Sequence, residues 1–188
     1  MGDIFDNIDK NLFTRTLEDA KKSNINLLQK HKVTSVDFLK KQVFARDLEQ
    51  DEEKIFNYDQ LVISTGATPF IPNMEGIDSR NVYTISKPYI VEKLKNNLDD
   101  YKNIAIVGGG FIGVEVAEQL SKYKHLNIDL YHSRDQLLNH VYDSKAAEAA
   151  ASELKDLGVN IHFSERLKDI VVENGIVKEI ITTNRQDK

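Results

Sequence analysis

Three glycines stand at the spacing that lets backbone, rather than side chains, hold an anion. Gly108, Gly110 and Gly113 form G-x-G-x-x-G within NIAIVGGGFIGVEVAEQL, Asn103–Leu120. In such a loop the first glycine permits a tight turn and the second lets the backbone approach a pyrophosphate. The third lets the following helix pack closely on the strand. A helix that starts there offers its unpaired N–H groups to phosphate. The elements needed to position those glycines can be read around them. Asn103–Val107 is an apolar run suited to a buried parallel strand, and Ile112, Val116 and Leu120 recur four apart, giving one apolar helix face. Strand, glycine turn and helix in this order favour dinucleotide binding; a glycine-rich turn in a non-binding α/β domain is the alternative.

The chain preceding this unit reads differently. Residues 1–15 carry no periodic signal and are expected as an extended lead-in. Thr16, with Asp19 three residues on, is placed to cap a short helix through LEDAKK that stops near Asn24. Ile25–Leu28 reads as a short strand. Val33–Asp37, Lys41–Leu48 and Glu53–Asn57, separated by charged turns, read as an antiparallel meander. Gln60–Ser64 (QLVIS) is expected as a buried strand, followed by a turn at Thr65-Gly66-Ala67. Pro69 and Pro72 keep the next segment extended. A helix begins near Ser86 with Pro88 in its first turn and Ile90, Leu94 and Leu98 on its buried face.

Beyond the glycine loop, Ile128–Tyr131 is a second strand. Asp143 or Ser144 caps an alanine-rich helix that Gly158 ends near Leu157, and Val159–Phe163 is a third strand. Leu167–Thr183 reads as a hairpin turning at Asn174-Gly175.

Composition narrows the function classes. The net charge of −5 argues against a general nucleic-acid or acidic-membrane binder. No apolar run approaches the roughly 20 residues of a membrane span. The acidic N-terminus lacks the apolar core of a signal peptide, which makes a cytoplasmic location the expectation. With no cysteine, this chain holds no disulfide, thiolate metal site or redox thiol, and its five histidines are not spaced as metal ligands.

A weak internal repeat bears on organisation. INLLQKHKVTSVD from Ile25 and VNIHFSERLKDIV from Val159 share an order of elements at an offset of 134 residues. Both follow a short helix and lead into a strand that opens a hairpin. The offset places a first glycine loop before Met1 and the last strand of a second unit after Lys188. The expectation is a fragment of a larger protein carrying parts of two related nucleotide-binding units.

YDQLVISTGATPFIP (Tyr58–Pro72), followed by IAIVGGGFIGVEVAEQL (Ile104–Leu120), resembles the pyridine nucleotide-disulfide oxidoreductases. The nearest branch is the group of NADH oxidases, NADH peroxidases and coenzyme A-disulfide reductases. LFTRTLEDAKKSNINLL (Leu12–Leu28) is similar to the stretch after that group's redox-cysteine helix, and the resemblance covers nearly the whole chain. It implies residues 1–100 as part of a FAD-binding domain. Residues 101–188 would be most of a Rossmann-like, three-layer α/β NAD(P)H-binding domain with a β-hairpin. The first FAD fingerprint, the active-site cysteine and the dimer-interface domain would lie outside the chain, and the intact protein would be a homodimer.

Site roles follow from the resemblance. Gly108, Gly110 and Gly113 would cradle the NAD(P)H pyrophosphate with the backbone of Phe111 and Ile112 nearby, and Glu115 would lie toward the nicotinamide. Glu115 can equally serve the positive end of the helix dipole. Thr65 and Gly66 match a motif beside the FAD phosphates, or an ordinary strand-ending turn, and Val33 matches a backbone contact to adenine. The intact protein would pass hydride from NAD(P)H to flavin and on to oxygen, peroxide or a disulfide, with no acid, base or nucleophile required from this chain. The alternative is a free-standing NAD(P)H-binding sensor or an inactive module.

Two departures stand out. Members that prefer NADH end the second strand in an acid that pairs with the ribose hydroxyls. Here His132, Ser133 and Arg134 occupy that place and are able to bind a 2′-phosphate, so NADPH is expected to be tolerated or preferred. The alternative leaves Arg134 solvated or paired with Asp135. Ser86 and Ile90 also stand where the family often has Arg and Asp.

Overall fold

Residues 17–139 and 141–184 are described by the structure, a computed structural model. They fall into two compact units, 17–67 and 68–184.

The first unit opens with helix α1, Leu17–Lys22. It has Glu18 and Asp19 in its first turn and Lys21 and Lys22 in its last, each sign facing the helix-dipole end it stabilises. The helix stops where Asn24 takes a left-handed φ of 54°. Thr16, the expected cap, and the lead-in segment 1–15 lie outside the described residues. Strands β1 (His31–Asp37), β2 (Gln42–Asp47) and β3 (Glu52–Asn57) form the expected antiparallel meander in the order β1-β2-β3.

Its two turns are built alike. Asp37 Oδ1 accepts from the Leu39 and Lys40 N–H groups at 3.0 and 2.9 Å, and Lys41 then takes a positive φ. Asp47 Oδ1 accepts from Glu49 and Gln50 at 2.9 and 3.2 Å, and Asp51 then does the same. In both, a short acidic side chain supplies the acceptor that starts the reversal.

Two expected strands are absent here. Ile25–Leu28 is irregular, with Ile25, Leu27 and Leu28 exposed. Gln60–Ser64 is also irregular, and Val62 and Ile63 are 86% and 63% exposed. An apolar run becomes a buried strand only when neighbouring strands take its N–H and C=O groups. Among the described residues no strand pairs with either segment.

In the second unit, helix α2 (Pro88–Lys95) starts with its proline in the first turn, where a missing N–H costs nothing. It buries Val91 and Leu94, and a 3-10 turn at Leu98–Asp100 buries Leu98; Ile90 is only half-buried, so the buried face is centred one residue further on. Strands β4 (Asn103–Val107), β5 (Asn127–His132) and β6 (Val159–Phe163) form a parallel sheet in the order β4-β5-β6. Helices α3 (Phe111–Leu120) and α4 (Ser144–Asp156) make the crossovers.

Asp143 caps α4 by accepting from the Ala146 N–H at 2.9 Å, and Gly158 ends the element with φ 90°. The core joins Val91, Leu94 and Leu98 to Ala117, Leu120, Ile128, Leu130, Leu137, Leu154 and Val159. A hairpin of β7 (Glu165–Glu173) and β8 (Ile176–Asn184) follows. It turns at Asn174 and Gly175, both left-handed (φ 53° and 72°), as the Asn-Gly pair predicts.

Two details differ from expectation. β4 is not buried on both faces: Ile104 and Ile106 pack toward the core, whereas Ala105 and Val107 are exposed. The apolar face of α3 is shifted. Leu120 is fully buried and Val116 packs against the core, but Ile112 is 59% exposed, and Ala117 and Gln119 are buried instead. The first turn of α3 stands at the loop mouth, where no layer covers it.

Candidate functional site

The loop joining β4 to α3 assigns each glycine a separate physical reason. Gly108 has φ 113°, a conformation that a side chain would strain, and its N–H donates to the Tyr131 carbonyl at 2.8 Å, carrying the sheet pairing one residue past the strand. Gly113 lies against the turn it follows: an added Cβ would sit 1.8 Å from the Gly108 carbonyl oxygen. Gly109 is buried, and a Cβ there would meet Leu137 Cδ2 at 2.5 Å and His132 Cγ at 2.8 Å. Gly110 is different. It is exposed, its φ of −85° suits any residue, and an added Cβ would meet nothing within 4 Å. Among the described residues nothing requires glycine at Gly110, which leaves its backbone open to approach from outside.

Gly110 is also the N-cap of α3. No side chain caps this helix end, and its first turn holds no acidic residue to compete with an anion. The first intrahelical bond runs from the Val114 N–H to the Gly110 carbonyl at 3.0 Å. The N–H groups of Phe111, Ile112 and Gly113 therefore precede the intrahelical ladder and point out of the helix end. Phe111 leans edge-on against Tyr142 at 5.9 Å between ring centroids, beside this opening. Glu115 is half-buried one turn along the helix. The donor set suits a pyrophosphate: free N–H groups, a helix dipole positive at this end, and a glycine surface without Cβ atoms.

The end of β5 turns toward the loop. His132 Nδ1 accepts the Gly109 N–H at 3.0 Å. The proton of the neutral ring then sits on Nε2, which faces Asn139 Oδ1 at 3.4 Å. Burial pushes the imidazole below its ordinary pKa, outweighing the hydrogen bond to Asn139. Its ring faces inward, onto the loop backbone. Ser133 is half-buried and Arg134 exposed, and the Arg134 carbonyl accepts from the Ser164 N–H at 2.9 Å. No ion pair joins Arg134 to Asp135 among the described residues.

Gly108, Gly110, Phe111, Ile112, Gly113 and Glu115 thus lie in the β4–α3 loop and the first turns of α3, and His132, Ser133 and Arg134 at the carboxyl end of the neighbouring central strand β5. Val33, Thr65 and Gly66 belong to the 17–67 unit. Val33 is exposed on β1 at a register shift, and Thr65-Gly66 lies in an exposed irregular segment, not the expected turn, with Gly66 at φ 79°.

Sequence reasoning passed over three residues that shape the loop. Gly109 is an arbitrary position in the motif, yet it is buried and bonded on both sides, since its carbonyl accepts the Leu138 N–H at 2.9 Å. Leu137 fills the space behind it and is fully buried. Asn139 faces the far nitrogen of His132. The run of three glycines was the available signal for a crowded backbone at this point.

The sequence pattern of the pyridine nucleotide-disulphide oxidoreductases matches residues 5–188. The chain belongs to this family. An NADH oxidase of Lactococcus lactis subsp. cremoris is 31% identical over 181 residues, covering 91% of this chain and 39% of the relative. Among solved structures, the water-forming NADH oxidase from Lactobacillus brevis, bound to NADH, superposes with a TM-score of 0.79 at 25% identity, covering 91% of this chain and 38% of that one. A NAD-dependent persulfide reductase from A. fulgidus superposes equally well, with a TM-score of 0.79 at 29% identity, covering 92% and 31%. The chain therefore spans about 39% of the length of the curated NADH oxidases it matches.

Proposed function

We propose that this chain is the NAD(P)H-binding portion of a FAD-dependent oxidoreductase, with residues 101–188 forming the NAD(P)H domain and residues 1–100 contributing part of the FAD domain. The observation that carries the reading is Gly110, a glycine at the helix start that no neighbour in the chain demands. Family membership and the NADH oxidases and persulfide reductase among its relatives support the same conclusion.

When bound, the nicotinamide and the flavin supply the redox chemistry, hydride passing from one to the other and on to oxygen, peroxide or a disulfide. The residues of this chain bind and orient. The N–H groups at the start of α3 hold the pyrophosphate, Gly108 and Gly113 fix the loop, and Glu115 lies toward the nicotinamide end. Ser133 and Arg134 face the adenine ribose and accept a 2′-phosphate, which makes NADPH an accepted nucleotide. Val33, Thr65 and Gly66 serve the FAD side, and the intact protein is a homodimer. With no cysteine, this chain alone runs no disulfide chemistry and turns over little or no NADH.

Titrating the purified chain with NADH and NADPH tests the reading. Both should bind, and Gly110→Val should abolish binding while leaving the melting temperature unchanged, because its side chain enters only ligand space. Undiminished binding by Gly110→Val would overturn the site. NADH binding at least tenfold tighter than NADPH binding would overturn the role given to Ser133 and Arg134.

A further inference from the structure

We propose that His132 is a positioning residue: its neutral imidazole holds the glycine loop in its anion-binding shape by accepting the Gly109 N–H, so nucleotide binding requires the unprotonated ring. This rests on the nucleotide-binding reading of the loop and adds a pH-dependent latch to it.

Several contacts tie the ring to the loop. Nδ1 lies 3.0 Å from the Gly109 nitrogen, across 23 residues of sequence. The ring is packed so closely that a Cβ on Gly109 would overlap its Cγ. Gly109 is buried, so its N–H has no solvent alternative if the acceptor is lost, and a buried orphan donor costs about 1–3 kcal/mol. The other side of Gly109 is held by the Leu138 N–H, which fixes the loop between the end of β5 and the β5–α4 connection. Gly108 and Gly110 flank this residue, so its orientation sets the direction of the N–H groups that follow.

Protonation would place an N–H at Nδ1 against the Gly109 N–H, two donors facing each other. The Asn139 side chain and the Gln136 backbone bond the ring and favour the charged form, and burial outweighs them. The charged groups around the ring are Arg134, which disfavours protonation, and Asp135, which favours it. From the β4–α3 loop the ring meets Gly109, and the residue paired with His132 on β6 is the uncharged Phe163. The burial that lowers the ring's pKa favours its neutral form.

The competing role for the same ring is a cation on the 2′-phosphate or pyrophosphate. The two roles predict opposite pH dependence. A latch weakens binding as pH falls; a phosphate cation strengthens it.

The experiment uses the full chain. First, without nucleotide, nitrogen-detected NMR of the imidazole should show Nδ1 as a bare acceptor at pH 8, and the Gly109 amide signal should move with the ring's titration. Second, NADH and NADPH dissociation constants are measured from pH 8 to pH 5. They should rise below the ring's pKa, by up to about tenfold per pH unit for one proton. His132→Asn, whose Oδ1 can still accept from Gly109, should bind within about threefold of the parent at pH 8 and show a flat profile. His132→Leu, which removes the acceptor, should bind about tenfold or more weakly at every pH.

Binding that tightens toward pH 5 would overturn the proposal, as would a His132→Asn variant that keeps the parent's pH profile. A Gly109 amide that ignores the ring's titration would do the same. If His132→Leu fails to fold, the His132→Asn profile and the amide titration still decide. If the parent chain binds no nucleotide at pH 8, the nucleotide-binding reading fails, and the NMR titration alone decides the latch.

Discussion

The meander of 17–67 and the parallel sheet of 68–184 reach their strand pairing by different means. In the meander the reversals are local. Asp37 and Asp47 each cap the two amides that follow, and only Ala45 and Asp47 are buried. In the sheet the pairing is enforced from a distance. Leu98, Leu120, Leu130 and Leu137, from the 3-10 turn after α2, from α3, from β5 and from the loop after β5, are fully buried in a single cluster. The functional geometry sits on the second kind of structure. The glycine loop holds Gly108 at a positive φ and Gly113 against the turn, and that takes packing behind the backbone rather than hydrogen-bonded turns alone.

The largest effect expected from this contrast is at Gly113. Gly113→Ala drives a methyl group into the Gly108 carbonyl, which is backbone and cannot swing aside, so the β4–α3 turn must open. A loss of roughly 3 kcal/mol is expected, with nucleotide binding abolished. Thermal melting with nucleotide titration measures both, and a variant that melts and binds like the parent would show that the close approach is not needed.

Next is Leu120→Ala, which leaves a cavity in the cluster and should cost about 2–5 kcal/mol. Amide exchange in β4, β5 and β6 should accelerate while β1–β3 exchange stays as it was. Equal acceleration in both units would mean that they unfold as one.

The smallest effect is at Asp47→Asn. Backbone hydrogen bonds from Glu49 and Gln50 hold this carboxyl below its ordinary range. Its contribution is therefore fully present above the ordinary aspartate range and is lost as pH falls through the lowered value. Exchange of the β1–β2–β3 amides should quicken as the pH drops below about 4, and the Asn variant should not show that step. A parent meander indifferent to pH would remove Asp47 as the turn's anchor.

These contrasts also explain what the sequence made legible. Features decided within a few residues were readable: the Asn174-Gly175 turn, Pro88 at a helix start, the Asp143 cap, and Gly158 at a helix end. The glycine spacing marked the turn between β4 and α3. Features decided by distant partners were not readable. Gln60–Ser64 has a strand's composition, but strand formation depends on who pairs with it. Ile112 fits the helical period but falls on a turn that nothing covers. His132 was correctly placed at the end of β5 beside the site, yet the direction of its ring is set by Gly109, which local pattern does not reach.

One earlier detail bears on how the chain comes together in time. The Asn81 side chain bonds the Val177 backbone in both directions, at 3.0 and 2.8 Å, across a sequence separation of 96 residues. The Arg80 N–H donates to the Gly175 carbonyl beside it. These bonds fasten the segment before α2 to the hairpin after β6, so the chain between them, glycine loop included, is a closed circuit. Long-range closures of this kind come late and slowly. During synthesis the residues that hold the glycine loop, through Leu138, are made before the clasp, which needs Val177 on β8. The clasp is thus the last of the loop's tethers to become available as the chain is made.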